Sequence, residues 1–308
     1  MGTLDILHCL DSWNIGGIQE LVLRLHQNSS HQHDTWGYAG TMTPYMQQAG
    51  MVNWAGGPPA EVGYDVVVGH GVGGWSYNDT FKWAKARGCH TVEVMHSNAR
   101  SQTDPALVDA FVSLNHIADK LNLHMPNRQV IYVIVPTDEF LIARYTQYIG
   151  RLSRLAAEKR PGDFVELARK FPGEKFVIAG DGAERERIEP GAPSNVRFVG
   201  MVRDFPAFYG QLKLFVFPTQ DECCSASVAM AQAAGVSCIV QDIPSLRETT
   251  GGYAVFCKDL NTFEGAIRAY LDRPDDYREL ALAGWEWARE QFTPKKTAGA
   301  WDAFLEGL

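Results

Sequence analysis

Short apolar runs ending in glycine, proline or a polar cluster recur along the chain. They alternate with stretches in which apolar residues return every three or four positions. Runs of the first kind suit strands buried on both faces, and the second kind are amphipathic helices. Residues 4–10 (LDILHCL) predict a first strand, and 11–17 (DSWNIGG) a turn-rich loop. Residues 18–27 predict a helix with Ile18, Leu21, Val22 and Leu25 on one face. Residues 28–62 carry little pattern and predict strand-length pieces at best, with His31 and His33 read as solvated loop residues. From residue 64 the alternation is regular. Strands are expected at 64–68, running into Gly69-His70-Gly71, at 90–95, ending at His96, and at 110–114 and 129–135. Helices are expected at 78–87, near 105–110 and at 116–124.

The pattern then restarts. Strands are predicted at 145–152, 175–179, 195–200, 213–218, 236–240 and 253–257. Helices are predicted at 161–170, 205–211, 225–234, 262–271, 276–292 and 295–308. Ser225 or Ser227 is placed to cap the 225–234 helix, and Gly235 to end it. Strands alternating with helices of this length imply an α/β chain with parallel sheets covered on both faces. The restart divides the chain into a domain at 1–140 and a second at 141–292. The last segment, 293–308, is read as a helix packing back on the first domain.

Composition narrows the class. The chain has 308 residues, 45% hydrophobic and 21% charged, ordinary values for a globular protein of two domains. No apolar run approaches the roughly 20 residues that span a bilayer, and the N-terminus lacks the basic-then-apolar form of a signal peptide. The six cysteines form no CxxC pair and read as reduced, buried thiols of a cytoplasmic protein. Net charge is −8, and the first 140 residues hold 7 Lys and Arg against 13 Asp and Glu. Neither half has the basic excess that announces nucleic-acid binding.

All nine histidines lie between His8 and His124, but none shows HxxxH or HExxH spacing, so no metal site is expected. His70 and His96 fall at carboxyl ends of predicted strands, where ligands of α/β sheets are met. Gly16 and Gly17, between the first strand and helix, allow close backbone approach beside a helix N-terminus; a plain tight turn is the other reading. In the second half, Arg154 and Lys159 suit a diphosphate, unless they simply open a solvated helix. Arg151 competes with Arg154 for that role. The Gly180-Asp181-Gly182 turn would admit a nucleobase or ribose, and the loop from 219 to 225 brings Asp221 and Glu222 to another strand end. No GxGxxG follows either domain's first strand, which disfavours a dehydrogenase.

The order of these motifs resembles the nucleotide-sugar-binding half of retaining GT-B glycosyltransferases, specifically glycosyltransferase family 4. The elements are Arg154-Leu155 running to Lys159, Phe176 to Gly182 (FVIAGDG), Asn195 to Gly200 (NVRFVG), Phe217-Pro218, Glu222 to Gly235, and Ile243 to Glu248 (IPSLRE). The first half is similar more faintly, through Gly16-Gly17, Asp65-Val66-Val67 leading to His70, and His96. The resemblance implies two Rossmann-like domains with parallel sheets facing a central cleft. It implies hexosyl transfer with retention from a nucleotide sugar, UDP-linked, without a metal or other cofactor.

On the same resemblance, Arg154 and Lys159 hold the donor diphosphate and Glu222 the sugar hydroxyls. His96 stands near the donor sugar and acceptor, and Gly16-Gly17 near the phosphates. Gly180, Asp181, Gly182, Cys224, Ser225, Met230 and Glu248 complete the nucleotide side. The acceptor is a glycan, small molecule, protein or modified DNA, the last disfavoured by the acidic first half. This chain departs from the pattern at Met230, where a ribose-binding Glu is usual, and at Cys223-Cys224-Ser225, which replace a glycine-bearing segment. A non-catalytic nucleotide-sugar-binding protein and a nucleotide-sugar epimerase are the alternative readings.

Overall fold

Apolar runs too short for a helix pair side by side here, because only a covered sheet satisfies their backbone while burying both faces. The computed structural model describes residues 2–12, 16–58, 61–72, 74–142 and 147–308. The chain divides into two compact units, Met1–Ile134 with Pro294–Leu308, and Val135–Thr293.

The first unit contains β1 (Asp5–Ser12), α1 (Gly17–Asn28), β2 (Gln32–Tyr38), α2 (Thr43–Gln48), β3 (Val66–Gly71), α3 (Asn78–Lys85), β4 (His90–Met95), β5 (Ala110–Ser113), α4 (His116–Leu121) and β6 (Arg128–Val130). Its six strands are parallel in the order β2-β1-β3-β4-β5-β6. Chain order reverses between β1 and β3, so the switch point of this sheet lies there.

Four expectations are corrected. The weakly patterned 28–62 stretch contains β2 and α2. The inward positions of β2 are His33, Thr35 and Gly37, so its buried face carries no apolar residue for a hydropathy pattern to register. His31 and His33 are therefore buried rather than solvated, at 6% and 0% exposure. The strand expected over 129–135 stops at Val130, where the edge of the sheet is reached and the chain leaves for the second unit. The helix expected near 105–110 is one 3₁₀ turn, Pro105–Leu107, capped by the Asp104 side chain.

The second unit contains β7 (Tyr148–Leu152), α5 (Pro161–Lys170), β8 (Lys175–Ala179), α6 (Arg185–Ile188), β9 (Val196–Gly200), α7 (Phe205–Gly210), β10 (Leu212–Phe217), α8 (Ala226–Ala233), β11 (Ser237–Gln241), α9 (Pro244–Thr249), β12 (Val255–Cys257), α10 (Leu260–Asp272) and α11 (Arg278–Gln291). Residues 145 and 146 of the predicted first strand lie outside the described residues. The strands are parallel in the order β12-β11-β10-β7-β8-β9, with the switch point between β7 and β10. Ile149, Phe164, Leu167, Phe176, Leu214, Val216, Ile239 and Ile267 form its core.

The final helix, α12 (Pro294–Glu306), is part of the first unit. It buries Ala298, Trp301 and Leu305, and its Asp302 carboxylate accepts a hydrogen bond from the Ser30 backbone N–H at 2.9 Å. Among the described residues no helix is long and apolar enough to cross a membrane. All six cysteines are buried.

Candidate active site

In the second unit the predicted residues gather around the switch point. The segment after β7 turns through one 3₁₀ turn, Ala157–Lys159, and is tied to the loop after β10. The Gln220 N–H donates to the Glu158 carbonyl at 2.8 Å, and the Thr219 hydroxyl donates to the same carbonyl at 3.2 Å. Lys159 Nζ then donates to the Asp221 carbonyl and meets Glu222 Oε1, each at 2.9 Å. Two residues far apart in sequence thus form an ion pair because β7 and β10 are neighbours. Burial pushes the Glu222 carboxyl up, with the Lys159 charge acting against it.

Arg151 and Arg154 separate cleanly. Arg151 is fully buried, and its Nη2 donates to Ser153 Oγ at 2.7 Å and to the Lys159 carbonyl at 2.8 Å, while Nη1 reaches the Arg160 carbonyl at 3.3 Å. Its guanidinium lies 5.8 Å from the Phe164 ring and 5.6 Å from the Phe217 ring, a cation–π setting. Burial lowers its pKa to about 10, opposed by the charges of Glu222 and Asp163. Arg151 is therefore an internal strut. It fixes the carbonyls of Lys159 and of Arg160, whose φ of +46° is a left-handed conformation rare outside glycine. Arg154 instead reaches solvent and pairs with Glu158 at 2.6 Å.

The glycines after β8 have a reason that the sequence does not reveal. A Cβ on Gly180 would sit 1.9 Å from the Ser153 carbonyl oxygen, and one on Gly182 2.5 Å from that of Leu155. The β8 loop and the Arg154 loop are pressed backbone to backbone, sealed by Leu155 N–H donating to the Asp181 carbonyl at 2.8 Å. The glycines serve this approach between chain segments. A hollow of about 750 Å³ opens beside them, lined by Asp181, Gly182, Arg185, Glu186 and Glu189 among others.

On the far side of the switch point, Ser225 is the N-cap of α8 but makes no side-chain cap bond, contrary to the capping role expected of it. Cys223, Cys224, Ser225 and Met230 are all buried, Met230 within the stretch of α8 that is buried continuously from Val228 to Ala233. Glu248 lies in α9, half-buried. Burial raises the Cys223 thiol well above its ordinary range, and the charges of Glu222, Asp221 and Glu248 add to the effect.

In the first unit, Gly16 is the N-cap of α1 and its carbonyl accepts from Glu20 N–H at 3.0 Å. A Cβ on Gly17 would meet nothing within 4 Å, so packing does not demand glycine there; residues 13–15 lie outside the described residues. His96 follows β4, its backbone N–H donating to the Gly71 carbonyl at 2.9 Å. Its ring is joined to His70 at 2.8 Å, and His70 to His8 and His8 to His33 at the same distance. His8 and His33 are additions to the expected site. Their only trace in the sequence is the concentration of histidine before residue 125.

Comparison with known proteins adds a class to this geometry. Residues 144–273 match the family model described as Glycosyl transferases group 1. That stretch of the second unit is thus similar to this family, and the two parallel six-stranded sheets share the GT-B fold of the solved structures they superpose on. Over 124 residues the chain is 31% identical to a GDP-mannose-dependent alpha-mannosyltransferase of Mycolicibacterium smegmatis, covering 39% of this chain and 32% of that protein. The chain thus spans about a third of the length of the curated relative it matches. Among solved structures, HepE of Anabaena in complex with UDP superposes with a TM-score of 0.82 at 11% identity, over 99% of this chain and 100% of that one. Sucrose-phosphate synthase of Thermosynechococcus elongatus gives 0.73 at 14% identity, over 98% of each chain.

Proposed function

We propose that this protein is a retaining glycosyltransferase that moves a hexosyl group from a UDP-sugar to an acceptor hydroxyl, working in the cytoplasm without a bound metal. The observation that carries the reading is the Lys159–Glu222 pair at 2.9 Å, at the carboxyl-end switch point of the unit similar to the Glycosyl transferases group 1 family. It is supported by neighbours of the same fold that hold UDP or UDP-glucose. In this reading Lys159 and Arg154 take the donor diphosphate, and the uncapped N-terminus of α8 adds backbone dipoles. Glu222 accepts hydrogen bonds from the sugar hydroxyls, with His96 near the sugar and the acceptor. Gly16-Gly17 adjoins the phosphates, and Asp181, Cys224, Ser225 and Glu248 adjoin the nucleoside.

The bond from the anomeric carbon to the diphosphate breaks with its electron pair on the diphosphate, a bond to the acceptor oxygen forms, and the proton of the acceptor hydroxyl passes to the departing diphosphate. Fixed positive charge where that negative charge develops is the main source of rate. Incubation with UDP-glucose, other UDP-sugars and GDP-mannose, with release of the nucleoside diphosphate as readout, tests the reading; mass spectrometry of glycan, small-molecule and protein acceptors follows. Preference for GDP-mannose would replace the UDP assignment and bring the chain nearer its mycobacterial relative. Binding of a donor without any turnover would establish a second reading, a non-catalytic nucleotide-sugar binder, which buried Met230 favours because a thioether is a poor partner for ribose hydroxyls.

A further inference from the structure

The four linked histidines of the first unit follow one geometric rule. Ile6 of β1 is opposite His33 of β2, and His8 lies two residues on; Val68 of β3 is opposite His8, and His70 lies two residues on; Val94 of β4 is opposite His70, and His96 lies two residues on. An offset of two keeps every ring on the same face of the sheet. The ladder therefore climbs diagonally, one ring per strand, from buried His33 at the start of β2 to half-buried His96 at the carboxyl rim. It crosses the switch point between β1 and β3. Neighbouring ring centroids are 5.0 to 5.1 Å apart, matching the spacing of strands at about 4.8 Å.

A neutral imidazole has one N–H and one lone pair. At His8 and His70 both nitrogens are engaged within the ladder, so each donates on one side and accepts on the other. All three hydrogen bonds must then run in the same direction, and reversing one reverses them all. Burial depresses the basicity of all four rings, to about 3 for His33 and His96, which keeps them neutral at pH 7. The inner end chooses between the two directions. His33 Nε2 is buried without a partner among the described residues. In one direction that atom is an orphaned N–H, and in the other a bare lone pair; orphaned buried donors are the rarer of the two.

We propose that the ladder runs from His33 Nδ1–H toward the rim and holds His96 in its Nδ1–H form, presenting a hydrogen-bond donor to a hydroxyl or phosphate oxygen. His70, His8 and His33 are positioning residues, acting through His96 without touching the ligand. The ligand part of this inference rests on the glycosyltransferase reading above; the direction of the ladder does not.

The test is the tautomeric state of each ring, read by long-range ¹H–¹⁵N correlation spectra of the full chain labelled with ¹⁵N-histidine, without ligand. Single variants assign the signals. His33, His8, His70 and His96 are expected as Nδ1–H. Substitution of His8→Phe cuts the ladder at its middle, and His96 is then expected as a mixture of the two forms. In that variant kcat falls about tenfold, the scale of one hydrogen bond, with KM for the donor little changed. An Nε2–H signal at His96 of the intact protein overturns the proposal, as does an unchanged His96 in folded H8F. The spectrum of the intact protein decides the question even if H8F does not fold. Nδ1–H tautomers in a protein that turns over no donor would sustain the ladder and refute the glycosyltransferase reading alone.

Discussion

The two sheets bury polar groups at their switch points in opposite ways. In the first unit, β1 and β3 are bridged by neutral imidazoles. In the second, β7 and β10 are bridged by an ammonium, a carboxylate and, beneath them, a fully buried guanidinium. A neutral ladder avoids the desolvation of ions, and what it transmits is direction, since each ring constrains the next. An ion pair must be held by other groups to offset its desolvation, and Arg151 does this by fixing the Lys159 carbonyl.

The contrast can be broken at several points. The largest effect is expected at the ion pair: Glu222→Ala and Lys159→Ala should each lower kcat/KM by about 10²–10³, against a far smaller loss for Met230→Ala, measured by diphosphate release. Equal losses at all three positions would dissolve the role assignments. Next comes the strut. Arg151→Ala should destabilise the second unit by about 3–5 kcal/mol, read from urea unfolding followed by the second unit's own signals, whereas Arg154→Ala, at an exposed pair, should change stability by less than about 1 kcal/mol.

The pH response should differ between the units. The histidines of the ladder have depressed pKa values when folded and ordinary ones, near 6.5, when unfolded. The unfolded chain therefore binds more protons below pH 6.5, and the ladder's stabilisation, full above that value, is lost as pH falls toward about 3. His26, His31 and Asp302 face the inner end and modulate this limb at His33. Glu93 works in the opposite sense. Burial raises its carboxyl to about 7, with Ser101 donating to it at 2.8 Å, so its contribution is present below pH 4.5 and lost as pH rises through 7. Denaturation midpoints across pH 3–8 should show both limbs in the first unit, and Glu93→Gln should remove the alkaline one alone. A wild-type profile flat below pH 6.5 would mean that the ladder is not buried in neutral form. The smallest effect is expected from chelation: EDTA should leave donor turnover unchanged, and rescue by added magnesium would refute metal independence.

Many of the elements are legible in the residue pattern. The strands at 90–95 and 175–179 and the helix at 161–170 are found where hydropathy puts them, because apolar side chains hold most of their buried positions. Strand β2 is not legible, because its inward side chains belong to His33 and Thr35, whose burial depends on partners across the sheet. Lys159 and Glu222 can be singled out by motif order. That they touch follows only from β7 and β10 being neighbours, and that Arg151 is a strut from its burial against the carbonyls of the loop that follows its own strand.

The sequence by itself determined the α/β class, the restart into two sheets, and the loops that bear the candidate chemistry, since these follow from local periodicity and from glycine and proline at strand ends. The tertiary structure alone decided which polar residues meet. Register between strands is set by pairing across tens of residues, and a two-residue offset repeated over four strands leaves no signature in any one of them. The histidine ladder, like the clasp between Lys159 and Glu222, exists only once those strands lie side by side.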